Sequence, residues 1–407
     1  MINRRTFLGG IVGFGAPLIG GRVLANQRTP RDDSDVLRQM LSSPGVVDLP
    51  GGIYFVGSDL FVPPPTTVRF AVGAKIVIGP NASVVWDGGI EAGPRQHIFD
   101  GALLRGPYQR IGDMPYTFAL SGRPRIEWAS PFWFGARGDG QVDDAPPLYC
   151  AQYFGGRQYL PSGQYSVSQS IHLRQNSQLI YGDGPTSMIK ASRPNLGQVI
   201  AIRGVPPTRA DAEPQTYLVD VTVRDLSVDG ADAVNNNGIG ASFCQHCTIR
   251  NILMQNIGRK AVTLQYWCKT NIIEDIKVID ALQEPDGKTA AISIEGQRGG
   301  LNFSLDGGVS HTADMEGWDC VDNRMSSITI LQTSFRYIVL TRARNNVFSN
   351  VILGETPGTR SDIFFGPFAE GNVLRAVHRS GQVSVCRPLN SNRIGASARS
   401  RVALIQC

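Results

Sequence analysis

The sequence predicts an all-β chain: a right-handed, single-stranded parallel β-helix with short N-terminal capping helices. Two observations carry that reading. In the C-terminal half, one column of apolar residues runs Val223, Ile249, Ile273, Met325, Phe348 and Val373, with offsets of 26, 24, 52, 23 and 25. A period in the twenties marks a solenoid, in which each repeat buries its apolar face only against its neighbours. The runs are short, aliphatic or β-branched and broken by Gly, Asn and Asp, so the repeating units are strands. The 52-residue offset reads as two turns with a few extra residues. Asp225, Asn251, Asp275, Ser327, Asn350 and Arg375 stand two places after the apolar column and suit turns, where Asn and Asp tolerate left-handed backbone. A second strand per turn opens at Ile239, Val262, Ile292 and Ile338.

The second observation is a duplication in the front half. The segment from Val47 to Val56, with its Leu49-Pro50-Gly51-Gly52-Ile53-Tyr54, returns at Gln158 to Val167 as Leu160-Pro161-Ser162-Gly163-Gln164-Tyr165, a shift of 111 that then holds without a gap. Each copy follows a segment of helical character, Asp35–Leu41 and Pro147–Phe154, the second opening on Asp143-Asp144 as acid caps with early prolines. Helix, strand, tight turn and strand make a lid for a β-helix end, which otherwise presents unpaired edges. Tyr54 and Tyr165 are expected to pack beneath it.

Domain organisation follows in order. Residues 1–25 read as a leader, 26–130 as a capping β module, 131–385 as the β-helix and 386–407 as a C-terminal cap or tail. Arg4-Arg5-Thr6-Phe7-Leu8, a Gly-broken apolar stretch and Val23-Leu24-Ala25 resemble a twin-arginine export signal, which implies a periplasmic or secreted protein with no stable membrane span after processing. With 42% hydrophobic residues the chain is not a disordered one. Its formal charge of +5 falls to about +2 without the leader arginines, and no basic stripe interleaved with aromatics is evident along the chain, which argues against nucleic acid as a partner. Seven cysteines cannot all pair within one molecule. Cys244 and Cys268 lie one repeat apart and read as buried thiols on adjacent turns, with one disulfide or half a zinc site at Cys244-Gln245-His246-Cys247 as alternatives.

The run Trp133-Phe134-Gly135-Ala136-Arg137-Gly138-Asp139-Gly140-Gln141-Val142-Asp143-Asp144, followed by Leu160-Pro161, Gly163, Tyr165 and Val167, resembles the opening of pectate-lyase-like right-handed β-helix proteins. That superfamily includes the rhamnogalacturonase/epimerase-like group and many phage tailspikes. The resemblance covers the pattern from Trp133 to Val385. It implies a chain that cleaves, epimerises or binds a polysaccharide, while leaving the chemistry open. Ser304-Leu305-Asp306-Gly307 and Trp318-Asp319-Cys320-Val321 echo polygalacturonase motifs only faintly, with replaced residues and short spacing.

Chemistry in a β-helix belongs on its exterior, where repeats run long. The irregular turn between Ile294 and Met325 concentrates ionisable groups beside an aromatic. Here His311, Asp314, Glu316 and Asp319 are the candidate catalytic residues, with Trp318 as a sugar-stacking platform and Arg324 as a further binding residue. Asp229 and Asp232, in the Asp229–Asn237 excursion, are the remaining binding candidates. Hydrolysis needs one protonated and one ionised carboxyl, whereas elimination needs a base and a cation against the uronate carboxylate. The expected function is therefore an exported carbohydrate-active protein of hydrolase, lyase or epimerase type, with a noncatalytic glycan-binding or envelope-associated β-helix as the alternative. No metal and no cofactor is expected. Replacing Arg4 and Arg5 by lysine should leave unprocessed precursor in the cytoplasm, as read by cell fractionation; normal processing would refute the export signal.

Overall fold

The structure is a computed structural model that describes residues 31–405, apart from 102, 106–116, 207–215, 234, 282–289, 297–302, 306–308, 312–318, 335, 355–361, 367, 387–391 and 397–399. The leader lies outside the described residues. From Asp32 onward the chain forms one unit.

The first copy of the duplication builds a small three-sided β-helix. Its sheets are Gly45–Leu49 with Thr66–Phe70 and Gly89–Glu91, Gly52–Val56 with Ala74–Ile78 and Phe99–Gly101, and Leu60–Val62 with Val84–Trp86 and Leu120–Ser121. All pairs are parallel, and the inward positions alternate as a strand period demands, as in Val84 and Trp86 flanking exposed Val85. Helix α1, Ser34–Leu41, closes one end by burying Leu37 and Leu41. Its helix begins one residue earlier than expected.

Helix α2, Ala145–Gly155, closes the second copy and serves both cores. Leu148 and Tyr149 pack into the long helix, while Cys150, Ala151 and Phe154 pack into the first module, where Phe154 meets Phe99 edge-on at 5.8 Å. The duplication persists down to single hydrogen bonds. Asp32 accepts from the backbone N–H groups of Ser34 and Gly57, and Asp143 accepts from those of Ala145 and Ser168, each residue displaced by 111. Likewise Tyr54 Oη donates to Pro50 O at 3.0 Å and Tyr165 Oη to Pro161 O at 2.6 Å. Tyr165 is fully buried, whereas Tyr54 remains partly exposed. Asp144 does not cap α2 through its side chain as expected; its carboxylate accepts instead from Arg137 N at 2.8 Å and Gly138 N at 3.1 Å, fixing the preceding Gly-Asp-Gly turn.

The long helix has three faces. The first holds 222–224, 248–250, 272–274, 324–326, 347–349 and 373–375, and the second the strand segments that follow directly, such as 226–229 and 252–255. Between them lies a single left-handed residue: Asp225, Asn251, Asp275, Ser327 and Asn350 all have φ between 51° and 56°. One corner residue therefore turns the strand from one face to the next. The third face runs Gly197–Arg203, Asn236–Ser242, Val262–Gln265, Ile292–Glu295, Ile338–Thr341, Ile363–Phe365, Gly381–Cys386 and Ser400–Ile405.

Three sequence readings need correction. Ile273 pairs directly with Met325, so the 52-residue offset is one turn carrying a long excursion rather than two turns. Phe348 pairs with Leu374 rather than Val373, so the last member of each column moves by one and Ala376, not Arg375, occupies the left-handed corner at φ 51°. The boundary placed at 385 falls inside the strand Gly381–Cys386, and Arg393–Ala396 and Ser400–Ile405 continue the ladders.

Just ahead of the first face runs a buried asparagine ladder. Asn271, Asn323, Asn346, Asn372 and Asn392 stack on successive turns, each amide oxygen accepting from the previous asparagine's backbone N–H and side-chain Nδ2 at 2.9–3.0 Å. The first oxygen, of Asn271, instead accepts from Cys247 N at 2.9 Å. Each Nδ2 also donates to a main-chain carbonyl, as Asn346 does to Cys320 O at 3.1 Å. An asparagine supplies one acceptor and two donors at one atom spacing, which satisfies polar backbone at a tight interior corner.

Two predictions follow from these contacts. Asn346→Leu strands the buried donors of Asn323 and should lower stability by about 2–4 kcal/mol, whereas Asn350→Gly at the exposed left-handed corner should be nearly neutral; urea denaturation followed by circular dichroism distinguishes them. Burial pushes the Asp144 carboxyl up from 3.8 to about 6. The folded chain therefore keeps a proton that the unfolded chain has lost in that window, and stability falls as pH rises from about 4 to 6. The melting temperature of Asp144→Asn should lack that part of the slope; an unchanged slope would refute the assignment.

Candidate functional site

The irregular turn is only partly visible. Asp314, Glu316 and Trp318 lie outside the described residues. His311 ends the strand Val309–His311, which pairs antiparallel with Phe303–Leu305, and nothing further is described of its side chain. Asp319 is buried, and its carboxylate is held by Arg342 Nε at 3.0 Å and Arg344 Nε at 2.9 Å. A carboxylate so engaged ties two turns together. Arg324 stands exposed on the outside of the first face.

Asp229 is buried and satisfied by Ala231 N at 2.7 Å, Gln255 Nε2 at 3.1 Å and Asn256 Nδ2 at 3.2 Å. Asp232 is exposed in left-handed backbone. Both stand where the second face leads into the third, while Asp319 stands where the third leads back to the first. The third face separates them, so Asp319 does not meet Asp229 or Asp232. Asp232 instead lies near Asp280: burial first, then the charge of Asp232, raises the Asp280 carboxyl above its ordinary value.

The cysteine column is a row of thiols. Cys244 Sγ lies 3.7 Å from Cys268 Sγ, and Cys320 continues the stack one turn on. Cys150, Cys244, Cys247, Cys268 and Cys320 are all buried and unbridged. Contacts with Cys247 and Cys268, followed by burial, hold the Cys244 thiol well above its usual range. Among the described residues, no group of three or more His, Cys, Asp or Glu is arranged to hold a metal ion.

The register assembles a different surface, which reading along the chain missed. Outward on the first face, Tyr159, Tyr181, Arg224, Arg250 and Glu274 stack as one column, and Arg157, Leu179, Thr222, Thr248, Ile272 and Arg324 as its neighbour. Trp128 meets Tyr159 at 5.3 Å between ring centroids, Tyr159 meets Tyr181 at 5.2 Å, and the Arg224 guanidinium sits 4.9 Å from the centre of the Tyr181 ring. The three rings are half-buried and form a row at about the spacing of adjacent strands. Asp183 accepts from Tyr159 Oη at 2.6 Å, a hydrogen bond that pushes the phenol up to about 12. Arg224 is ion-paired with Asp225, and Arg250 with Glu274 at 3.7 Å.

Beside the rings lies an open groove of about 440 Å³ lined by Arg157, Ser177, Gln178, Leu179, Thr222 and Arg224. Basic and aromatic side chains are thus interleaved in space, although no stripe is visible along the chain. The signal available in the sequence was Tyr159 and Tyr181, 22 residues apart, and Arg224 and Arg250, 26 apart; the 43 residues between Tyr181 and Arg224 break the repeat.

Fold and surface together define a parallel β-helix protein with an aromatic and cationic outer face. No protein-family model and no curated protein matches the chain. Among solved structures it is similar to ORF18 of Geobacillus virus E2, at 13% identity over 66% of this chain and 57% of that one, with a TM-score of 0.42. It is similar to PfbA, a surface adhesin of Streptococcus pneumoniae, at 13% identity over 66% of this chain and 75% of that one, with a TM-score of 0.42. It is also similar to the A-module of the mannuronan C-5 epimerase AlgE4 of Azotobacter vinelandii, at 12% identity over 67% of this chain and 96% of that one, with a TM-score of 0.28. The chain spans less than two thirds of the viral protein's length. These likenesses concern the fold alone.

Asp319→Asn should lower the melting temperature by loosening Arg342 and Arg344. An unchanged melting transition by circular dichroism would show that these ion pairs do not hold the two turns together.

Proposed function

We propose that this chain is an exported polysaccharide-recognising β-helix whose ligand lies on the first face, across the row of Trp128, Tyr159 and Tyr181. The single observation that carries this reading is the row itself: three half-buried rings in succession beside an open polar groove. Such rings offer the apolar face of a sugar a large contact at little entropic cost, and their polar tips meet its hydroxyls. Hydrogen-bonding groups along the groove, on Ser177, Gln178, Thr222 and the two arginines, supply orientation.

A second, catalytic reading rests on Asp280. A carboxyl raised by burial beside another carboxylate is the pairing that acid-assisted glycosidic cleavage uses. Release of products from a polysaccharide panel, abolished by Asp280→Asn, would establish it; products released equally by that variant would remove Asp280 from the chemistry.

For the binding reading, Tyr181→Ala and Tyr159→Ala should each weaken a bound oligosaccharide by about tenfold, since a ring contact contributes roughly 1 kcal/mol beyond its buried area. Affinity electrophoresis against a panel of neutral and acidic polysaccharides identifies the ligand, and isothermal titration then measures the variants. Wild-type affinity in both variants would place recognition elsewhere.

A further inference from the structure

We infer that the stacked thiols of the long helix gate its folding by redox state: the native fold is reached only with Cys244, Cys247, Cys268 and Cys320 reduced, and once reached it shields them from oxidation. This goes beyond the glycan-binding reading and stands apart from it. Cys244, Cys268 and Cys320 take one inward column on three successive turns, with Cys247 in contact with the first. Cys244 Sγ lies 3.7 Å from Cys268 Sγ, whereas a disulfide needs about 2.05 Å. Drawing the two sulfurs together requires a shift inside a close-packed core, which resists it.

The backbone of the same residues resists that shift as well. The carbonyl oxygens of Cys244, Cys268 and Cys320 accept from the side-chain Nδ2 of Asn271 at 3.4 Å, Asn323 at 3.0 Å and Asn346 at 3.1 Å. The cysteine column is therefore one wall of the asparagine ladder. The thiols also act as donors to carbonyls of this corner. Cys268 Sγ points to Gln265 O at 3.2 Å and Ala241 O at 3.3 Å, Cys247 Sγ to Gln245 O at 3.5 Å, and Cys320 Sγ to Leu264 O at 3.6 Å. A thiol donates weakly, and a disulfide sulfur has no hydrogen to donate. The corner is built on the reduced form.

The unfolded chain has none of these restraints. Cys244 and Cys247 are three positions apart and Cys268 follows 21 later, so the loops between them close readily. A disulfide reagent is attacked by one thiolate, a mixed disulfide forms, and a second cysteine displaces the remaining thiol. Each bridge removes two protons and two electrons from the chain, and the reagent takes them up in becoming two thiols. A bridge made at that stage holds the sulfurs closer than the ladder allows. After folding the four residues are at most 2% exposed, so the same reagent has no path to them. Such a chain tolerates an oxidising compartment only if it arrives folded.

The test varies the order in which oxidant and folding meet. The purified protein, unfolded in urea with dithiothreitol, is refolded either with dithiothreitol or with oxidised glutathione in its place. A third sample receives oxidised glutathione only after folding. Circular dichroism and the melting transition read native recovery, and intact mass with peptide mapping after alkylation reads the bridges. The dithiothreitol sample should recover the native transition. The glutathione sample should lose most of it, with bridges mapped among the four stacked cysteines, and late addition should change neither the transition nor the four thiols.

Equal recovery with oxidant present before folding, a bridge among the four in native protein, or bridges confined to the other cysteines would each overturn the inference. If the protein refolds from urea in neither sample, cell-free synthesis with dithiothreitol or with oxidised glutathione makes the same comparison on nascent chains, and equal native yield there overturns it too.

Discussion

The asparagine ladder from Asn271 to Asn392 is the constraint on which the C-terminal turns of the long helix depend. At that corner the chain must pass from a short bridging segment into the first face with its backbone turned inward, away from water. Each side-chain oxygen takes two donors from the turn before, and each Nδ2 donates both to the next amide and to a carbonyl. The ladder is cooperative in the literal sense that each member's acceptor is filled only by its neighbour. It fixes where the turns from Asn271 to Asn392 begin, while the turns before it carry Gln178, Val221 and Cys247 at the same position.

The outer surface follows from the register of the turns themselves. A single left-handed residue separates the first and second faces, so every strand of the first face presents the same two outward positions. Residues 22, 43 and 26 positions apart in sequence are brought to strand spacing. Tyr159, Tyr181, Arg224 and Arg250 become a column for that reason alone. The same repetition aligns Cys244, Cys268 and Cys320 inside, where burial keeps them from reacting. Where a turn departs from the repeat, ion pairs hold the edges, as the buried Asp319 does between Arg342 and the exposed Arg344.

The duplicated front shows how such a solenoid is ended. Asp32 and Asp143, with their matching backbone donors, start two equivalent helices, and the second of these is not a terminal lid at all. Helix α2 gives one side to each core, so the first module and the long helix share an element that neither could bury alone. The aromatic row and its groove begin where that junction passes into the regular ladder, with Trp128 just before the junction and Tyr159 just after α2.

Strand period, repeat length and the 111-residue shift were legible in the sequence because burial writes them directly into apolar spacing: Ile249, Ile273 and Met325 are interior as their pattern requires. The left-handed corners at Asn251 and Asp275 were legible too, since residue type reflects backbone conformation. The asparagine ladder stood two places before each apolar column but could not be told from ordinary turn residues without the hydrogen bonds that define it. Register at Leu374 and the single long turn before Met325 were decided by pairing, because a loop's length says nothing about how many strands it replaces. The aromatic and basic outer face was decided by tertiary structure alone. Local density had pointed to the acids near Asp319, whereas a solenoid gathers its surface groups from different turns, and only the stacking of those turns brings Tyr159, Tyr181, Arg157 and Arg224 to one face.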